Sequence, residues 1–90
     1  MLQTISIIVK GRVQGVFYRQ SAQEKATALG ITGTVRNLPD KSVQIIATGT
    51  KGQLDTLLAW CRQGPPRAAV KSAEAEEEEL QMFREFSVIR

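Results

Sequence analysis

Gly11-Arg12-Val13-Gln14-Gly15-Val16-Phe17-Tyr18-Arg19 connects an apolar run typical of a strand to an amphipathic run typical of a helix. Two glycines let successive backbone N–H groups turn toward one point, and the start of a helix adds unpaired N–H groups and a partial positive charge. These features are typical of a backbone pocket for an anion, although the same stretch also fits a tight strand-to-helix connection with glycines at positive φ. It matches neither of the common nucleotide-binding glycine motifs.

Two polar residues are candidates for a role in such a pocket. Arg19 offers a planar fork of donors suited to a phosphate, and a bound anion there would offset the unfavourable placement of a cation at a helix N-terminus, which costs about 0.3 to 1 kcal/mol. An exposed first-turn arginine is the alternative. Asn37, which precedes Leu38-Pro39, is either a turn residue or a neutral amide that orients a water molecule.

The spacing of apolar residues predicts seven elements. Alternation over residues 4 to 10 indicates a strand, and an i, i+4, i+7 pattern indicates a helix over 19 to 29. Two further strands, over 32 to 37 and 43 to 47, flank a turn, and a second helix capped at Thr50 ends before Gly64-Pro65-Pro66. A strand then begins at Ala68 and fades into the acidic run from Glu74 to Glu79, and Phe86 and Val88 mark a last short strand.

The predicted order is strand, helix, strand, strand, helix, strand, with one more strand at the end. This order is typical of an α+β fold, the ferredoxin-like split βαβ sandwich. Right-handed connections would place both helices on one face of a mostly antiparallel sheet. Since the sequence contains no repeat and no linker, residues 1–90 are expected to form a single domain.

Composition limits the chemistry that the chain can perform. It has 90 residues, no histidine and one cysteine, Cys61, so no internal disulfide forms and the usual zinc-binding sets cannot be assembled. We therefore expect no metal and no cofactor. No apolar run approaches the roughly 20 residues that span a bilayer, and no secretory signal is recognisable, so no membrane association and a cytoplasmic location are expected.

The charge is distributed unevenly. Residues 1–71 contain ten Lys and Arg against three Asp and Glu, a net charge of +7, whereas residues 72–90 carry −4. A basic body favours an anionic ligand, either a phosphorylated metabolite or a nucleic acid. The strands lack the adjacent aromatic residues that stack bases, so nucleic acid is not expected. The acidic run at 74–79 is expected to solvate an edge strand or a loop.

The glycine-rich stretch from Gly11 to Arg19 resembles the signature of the acylphosphatase family. The resemblance continues through Gly33-Thr34-Val35-Arg36-Asn37, the middle hairpin, the end of the second helix at Trp60 and Gly64-Pro65, and the last strand at Phe86-Ser87-Val88. It covers nearly the whole chain. Two residues depart from the family pattern: Thr34 stands where an aromatic residue is usual, and Lys41 stands where an Asp-Gly turn is usual.

The resemblance implies an enzyme that hydrolyses acyl (carboxyl) phosphates to a carboxylate and inorganic phosphate without a metal ion. In this family the loop amides and the motif arginine bind phosphate, and the asparagine positions the attacking water. By motif position these roles fall to Arg19, to Asn37 and to the loop residues Gly11, Arg12, Val13, Gln14, Gly15, Val16, Phe17 and Tyr18. The expected partner is a small acyl phosphate, and a monomer is expected. A noncatalytic anion-sensing or nucleic-acid-binding module of the same fold is the alternative, and Asn37 is the residue that distinguishes them.

Overall fold

Seven elements follow one another in the predicted order. In the computed structural model, which describes all 90 residues, they are β1 (Gln3–Arg12), α1 (Tyr18–Ala28), β2 (Thr32–Asn37), β3 (Val43–Gly49), α2 (Lys51–Gln63), β4 (Ala69–Glu78) and β5 (Phe86–Ile89). β1 and β4 are longer than the apolar pattern alone indicates. Both extensions come from pairing with each other, because Arg12 pairs with Ala69 at one end and Thr4 with Glu78 at the other.

The strands form one sheet in the order β4-β1-β3-β2-β5. Its pairs are antiparallel except for β2 with β5, which run parallel. β4 is an edge strand, so the acidic run does lie at an edge of the sheet, where charge discourages pairing with another chain. The two helices pack on one face of this mostly antiparallel sheet, and the predicted ferredoxin-like architecture is thereby confirmed.

The core lies between the sheet and the two helices. Register places Ile7 opposite Ile45 and Val9 opposite Val43, so these alternating residues share the covered face and all four are fully buried. Against them pack small residues of α1 and larger apolar residues of α2, namely Ala22, Ala26, Leu54, Leu57 and Cys61. The small side chains of α1 keep that helix close to the sheet, which fixes the position of its N-terminus.

The two helices begin in different ways. α2 has a complete capping box, in which the Thr50 hydroxyl accepts from the Gln53 amide and the Gln53 side chain accepts from the Thr50 amide. α1 has no side-chain cap, no acidic residue in its first turn, and Phe17 at its N-cap in the left-handed region at φ 65°. Its first amide groups therefore have no side-chain acceptor. Neither helix has the length and apolar character needed to cross a membrane.

Candidate active site

The loop between β1 and α1 presents a run of unused backbone donors. Residues 13 to 17 lie outside the helices and strands, and none of their five N–H groups donates to a backbone carbonyl. Backbone donors are rarely left without an acceptor unless water or a ligand supplies one. Five successive free N–H groups next to an uncapped helix N-terminus are the arrangement by which proteins bind anions through the backbone.

Two residues of this loop have positive φ. Gly15 lies at φ 74° and Phe17 at φ 65°. Glycine adopts this region without penalty, whereas Phe17 pays about 1 to 2 kcal/mol for it. Backbone that enters and leaves the left-handed region brings consecutive N–H groups toward one concavity. The strain at Phe17 is therefore associated with the conformation that gathers the free amides.

Gln14 ties this loop to the turn between β2 and β3. Its side-chain amide donates from Nε2 to the carbonyl oxygens of Leu38 and Ser42, both at 2.9 Å. Leu38 directly follows Asn37, so one side chain fixes the amide loop relative to the end of β2. The sequence motif placed Gln14 in the loop but gave no indication of this bridge, whose acceptors lie 24 and 28 residues away.

Arg19 lies in the first turn of α1 and reaches toward the last strand. Its Nη1 donates to the carbonyl oxygen of Ile89 at 3.1 Å, which holds the guanidinium between α1 and β5. The surrounding cleft has a volume of about 820 Å³ and is lined by Gly15, Phe17, Arg19, Gln20, Gln23, Glu85, Ser87, Val88 and Arg90. The Arg19 side chain and two residues of the free-amide loop, Gly15 and Phe17, thus line one open cleft.

Asn37 ends β2 beside the same region. The preceding residue, Arg36, pairs with Ile89, the residue whose carbonyl accepts from Arg19. Asn37 is not one of the side chains that line the Arg19 cleft, but its Oδ1 is buried and accepts no hydrogen bond. A buried carbonyl oxygen without a donor is uncommon and costs about 1 to 3 kcal/mol. This oxygen therefore has an unused capacity to accept a hydrogen bond from an O–H or N–H group.

The remaining residues of the predicted loop hold its ends. Gly11 and Arg12 belong to β1 and pair with β4, so the free amides begin only at Val13, whose side chain is buried. Tyr18 is also buried and donates its hydroxyl to the Cys61 carbonyl at 2.8 Å. Burial raises the pKa of Tyr18 far above its usual value, which keeps this hydroxyl a donor.

A second cleft on this loop was not predicted from the sequence. It is lined by Arg12, Gln14, Gly15, Val16 and Arg67, so Gly15 borders both clefts. Arg67 lies in the turn after α2, 55 positions from Arg12 in a sequence of 90 residues. The pairing of Arg12 with Ala69 brings the two arginines to the same cleft. The strand pattern alone contained no signal for that register.

The fold and the loop define a small ferredoxin-like domain with five free backbone amides before its first helix. The sequence profile of the family described as Acylphosphatase matches residues 5–88. An acylphosphatase of Methylococcus capsulatus is 49% identical over 90 residues, which covers 99% of this chain and 98% of that protein.

Solved structures agree with the sequence comparison. The structure of an acylphosphatase from Coxiella burnetii superimposes with a TM-score of 0.94 at 38% identity, covering 98% of this chain and 93% of that one. The acylphosphatase from Bacillus subtilis gives a TM-score of 0.94 at 33% identity over the full length of both chains.

The chain belongs to the acylphosphatase family. The family predicted from the Gly11–Arg19 motif is confirmed, and with it the class of reaction, the hydrolysis of acyl phosphates.

Proposed function

We propose that this enzyme splits a carboxyl phosphate by direct, in-line attack of water on phosphorus, with no metal ion. The amides of residues 13 to 17 and the guanidinium of Arg19 bind the phosphate, and Asn37 orients the attacking water. A P–O bond forms to water as the P–O bond to the acyl group breaks. The products are a carboxylate and inorganic phosphate.

The five free N–H groups of the loop are the single observation that carries this proposal. Charge in phosphoryl transfer is spread over the non-bridging oxygens, so fixed donors around them stabilise the transition state without having to reorganise. Arg19 adds two hydrogen bonds from one cation, and such charge-assisted hydrogen bonds are shorter and stronger than those between neutral groups. The bound phosphate also offsets the repulsion between Arg19 and the N-terminus of α1.

The unpartnered Oδ1 of Asn37 supports its role with water. Because this oxygen is buried in the resting side chain, Asn37 must rotate to bring it to the cleft, where a water molecule that donates to it has a lone pair left for attack on phosphorus. An amide has no titratable proton near neutrality, so Asn37 positions the nucleophile and does not act as a base. The proton passes to a phosphate oxygen or to solvent.

The leaving group explains why no strong general acid is needed. The conjugate acid of a carboxylate leaving group has a pKa of about 4, whereas that of an alkoxide is near the value for water, about 16. A carboxylate can depart without a proton. This agrees with a chain that contains no histidine. An ester of phosphate with an ordinary alcohol is expected to be a very poor substrate.

The proposal of metal independence is supported by the available ligands. The chain has one cysteine, which is buried, and no histidine, and its acidic residues form no group of three or more metal-ligating side chains. The cation that neutralises the developing charge is therefore Arg19, assisted by the partial positive end of α1. The cytoplasmic location and the monomeric state stay predictions.

The test is hydrolysis of benzoyl phosphate in the presence of excess chelator by the wild-type enzyme and two variants. Arg19→Ala is expected to lower kcat/KM on the order of a thousandfold, as for other arginines that stabilise a transferred phosphoryl group. Asn37→Ala is expected to lower kcat while inorganic phosphate still inhibits at nearly the wild-type concentration, since the anion site is intact.

Three outcomes contradict the proposal. If the wild-type protein hydrolyses benzoyl phosphate no faster than the uncatalysed reaction, the enzymatic function is refuted. If adding chelator abolishes the activity, the metal-free mechanism is refuted. Near-wild-type turnover in a folded variant removes that residue from the mechanism. Gln53→Ala, in the cap of α2, serves as the control for a variant made at a distance from the site.

A further inference from the structure

The second cleft on the loop concentrates positive charge. Both Arg12 and Arg67 are exposed, and no acidic side chain is among the residues that line the cleft with them. Neither arginine takes part in an ion pair, because the single ion pair of the chain joins Lys51 to Asp55 on α2. Two like charges held at one cleft raise the local potential and attract an anion.

Backbone geometry fixes where the two arginine side chains leave the main chain. A β-bulge shifts the register of β1 against β4 between Lys10 and Gly11, and such bulges redirect the side chains that follow them. At Gly11, with φ 122°, an added Cβ would lie 2.3 Å from the Ala69 carbonyl oxygen, so only glycine permits this approach. The bulge sets the position of Arg12 at the end of β1.

The backbone of Arg67 is fixed by a tight turn after α2. The Ala68 amide donates to the Pro65 carbonyl at 3.0 Å, which closes a four-residue turn with Pro66 and Arg67 at its centre. Proline suits the first central position because its φ is already fixed. The side chain at the second central position is therefore presented by a preformed backbone, which lowers the entropy lost when it binds a ligand.

We propose that Arg12 and Arg67 form a second anion subsite that binds a negative group on the acyl part of the substrate. This inference rests on the proposed function, in which the phosphate occupies the amides of the neighbouring loop. Gly15 borders both clefts, so the two clefts adjoin at this residue of the loop. The preferred substrate class is then acyl phosphates that carry a second anion, either a carboxylate or a phosphate.

The experiment compares rigid substrates that differ in one charge. kcat/KM is measured for benzoyl phosphate, for 3- and 4-carboxybenzoyl phosphate, for the methyl esters of the carboxylated pair, and for 4-(phosphonomethyl)benzoyl phosphate. The readout is the ratio of kcat/KM for each charged substrate to that for its neutral counterpart. Preference for the carboxylated or the phosphonate compound identifies which anion the subsite takes, and either preference supports the proposal.

Removing the two charges should abolish this preference. In Arg12→Gln/Arg67→Gln the ratio for the best charged substrate is expected to fall about tenfold, mainly through KM, and in Arg67→Gln by roughly threefold. Arg12→Lys/Arg67→Lys should retain most of it. The control Lys25→Gln/Arg62→Gln also removes two positive charges, but from the helices and outside both clefts. It should leave the ratio unchanged.

The ratio separates this inference from the function on which it rests. A general loss of phosphate binding lowers kcat/KM for charged and neutral substrates together and leaves the ratio as it was. If the wild-type enzyme hydrolyses benzoyl phosphate but shows no preference for any charged analogue, the second subsite is refuted and the hydrolase function is not. An equal fall of the ratio in the helix control also refutes it, because net charge alone would then account for the effect.

Discussion

Replacing Gln14 with methionine tests whether the bridge from the loop to the β2–β3 turn positions the catalytic groups. Methionine has a similar length and no donor, so Gln14→Met removes both 2.9 Å hydrogen bonds, to Leu38 and to Ser42. Each carbonyl keeps a backbone partner, since Leu38 also accepts from Lys41 and Ser42 also accepts from the Leu38 amide. The loss is therefore the net value of two hydrogen bonds.

At about 0.5 to 1.5 kcal/mol for each bond, the free energy of unfolding should fall by roughly 1 to 3 kcal/mol. The effect on catalysis should be larger than this loss implies, because the bridge fixes the free amides relative to Asn37. A displacement of about 1 Å between reacting groups costs up to a hundredfold in rate. We expect kcat to fall ten- to a hundredfold in the folded variant, measured on benzoyl phosphate beside urea unfolding.

Gln53→Met is the matched control. The Gln53 side chain also makes two hydrogen bonds, donating to the distant Leu29 carbonyl at 2.9 Å and accepting from the nearby Thr50 amide at 2.8 Å. It lines neither cleft, so the control should lose a similar free energy of unfolding and keep its kcat. If the two variants have the same kcat, or if Gln14→Met is as stable as the wild type, the positioning role of Gln14 is wrong.

Three further predictions concern stability, each measured by urea unfolding. Tyr18→Phe should cost about 1 to 3 kcal/mol, because the buried Cys61 carbonyl at the end of α2 loses the Tyr18 hydroxyl as its donor; no loss would mean that another donor replaces it. Lys41→Gly should stabilise the protein by about 0.5 to 1 kcal/mol, because Lys41 lies at φ 76°, where glycine is not strained. A destabilised variant would show that the contacts of the lysine side chain outweigh its backbone strain. Burial raises the pKa of Cys61 to about 12, whereas the thiol of the unfolded chain has a pKa of about 8.5 and loses its proton first. The free energy of unfolding should therefore decline as the pH rises above about 8.5. In Cys61→Ala the free energy of unfolding should decline less between pH 7 and 9.5.

Local patterns in the sequence were sufficient to predict most elements. The alternation of Ile5, Ile7 and Val9 predicted β1, and Thr50 followed by Gln53 predicted the capping box that the structure contains. The full extent of β4 was less evident, because its glutamates have low strand propensity and it is held by pairing with β1. Such pairing depends on residues far away in the sequence, and a local window does not contain it.

In the candidate site, too, local sequence patterns were predictive and long-range contacts were not. Two glycines before a helix predicted an anion loop, and the free amides from Val13 to Phe17 agree with that interpretation. The bridge made by Gln14 and the cleft shared by Arg12 and Arg67 could not be predicted, since the first depends on how the loop meets the β2–β3 turn and the second on how β1 pairs with β4. The motif therefore predicted the reaction class, and only the tertiary contacts showed which elements the loop is joined to.

The most direct test of the central claim is a titration of ¹⁵N-labelled protein with inorganic phosphate, followed by NMR of the backbone amides. We predict that the largest shifts occur at the five N–H groups from Val13 to Phe17, that Arg19→Ala weakens the binding strongly, and that Asn37→Ala leaves its Kd nearly unchanged. Saturable binding that moves resonances elsewhere and leaves these five unshifted would contradict the account.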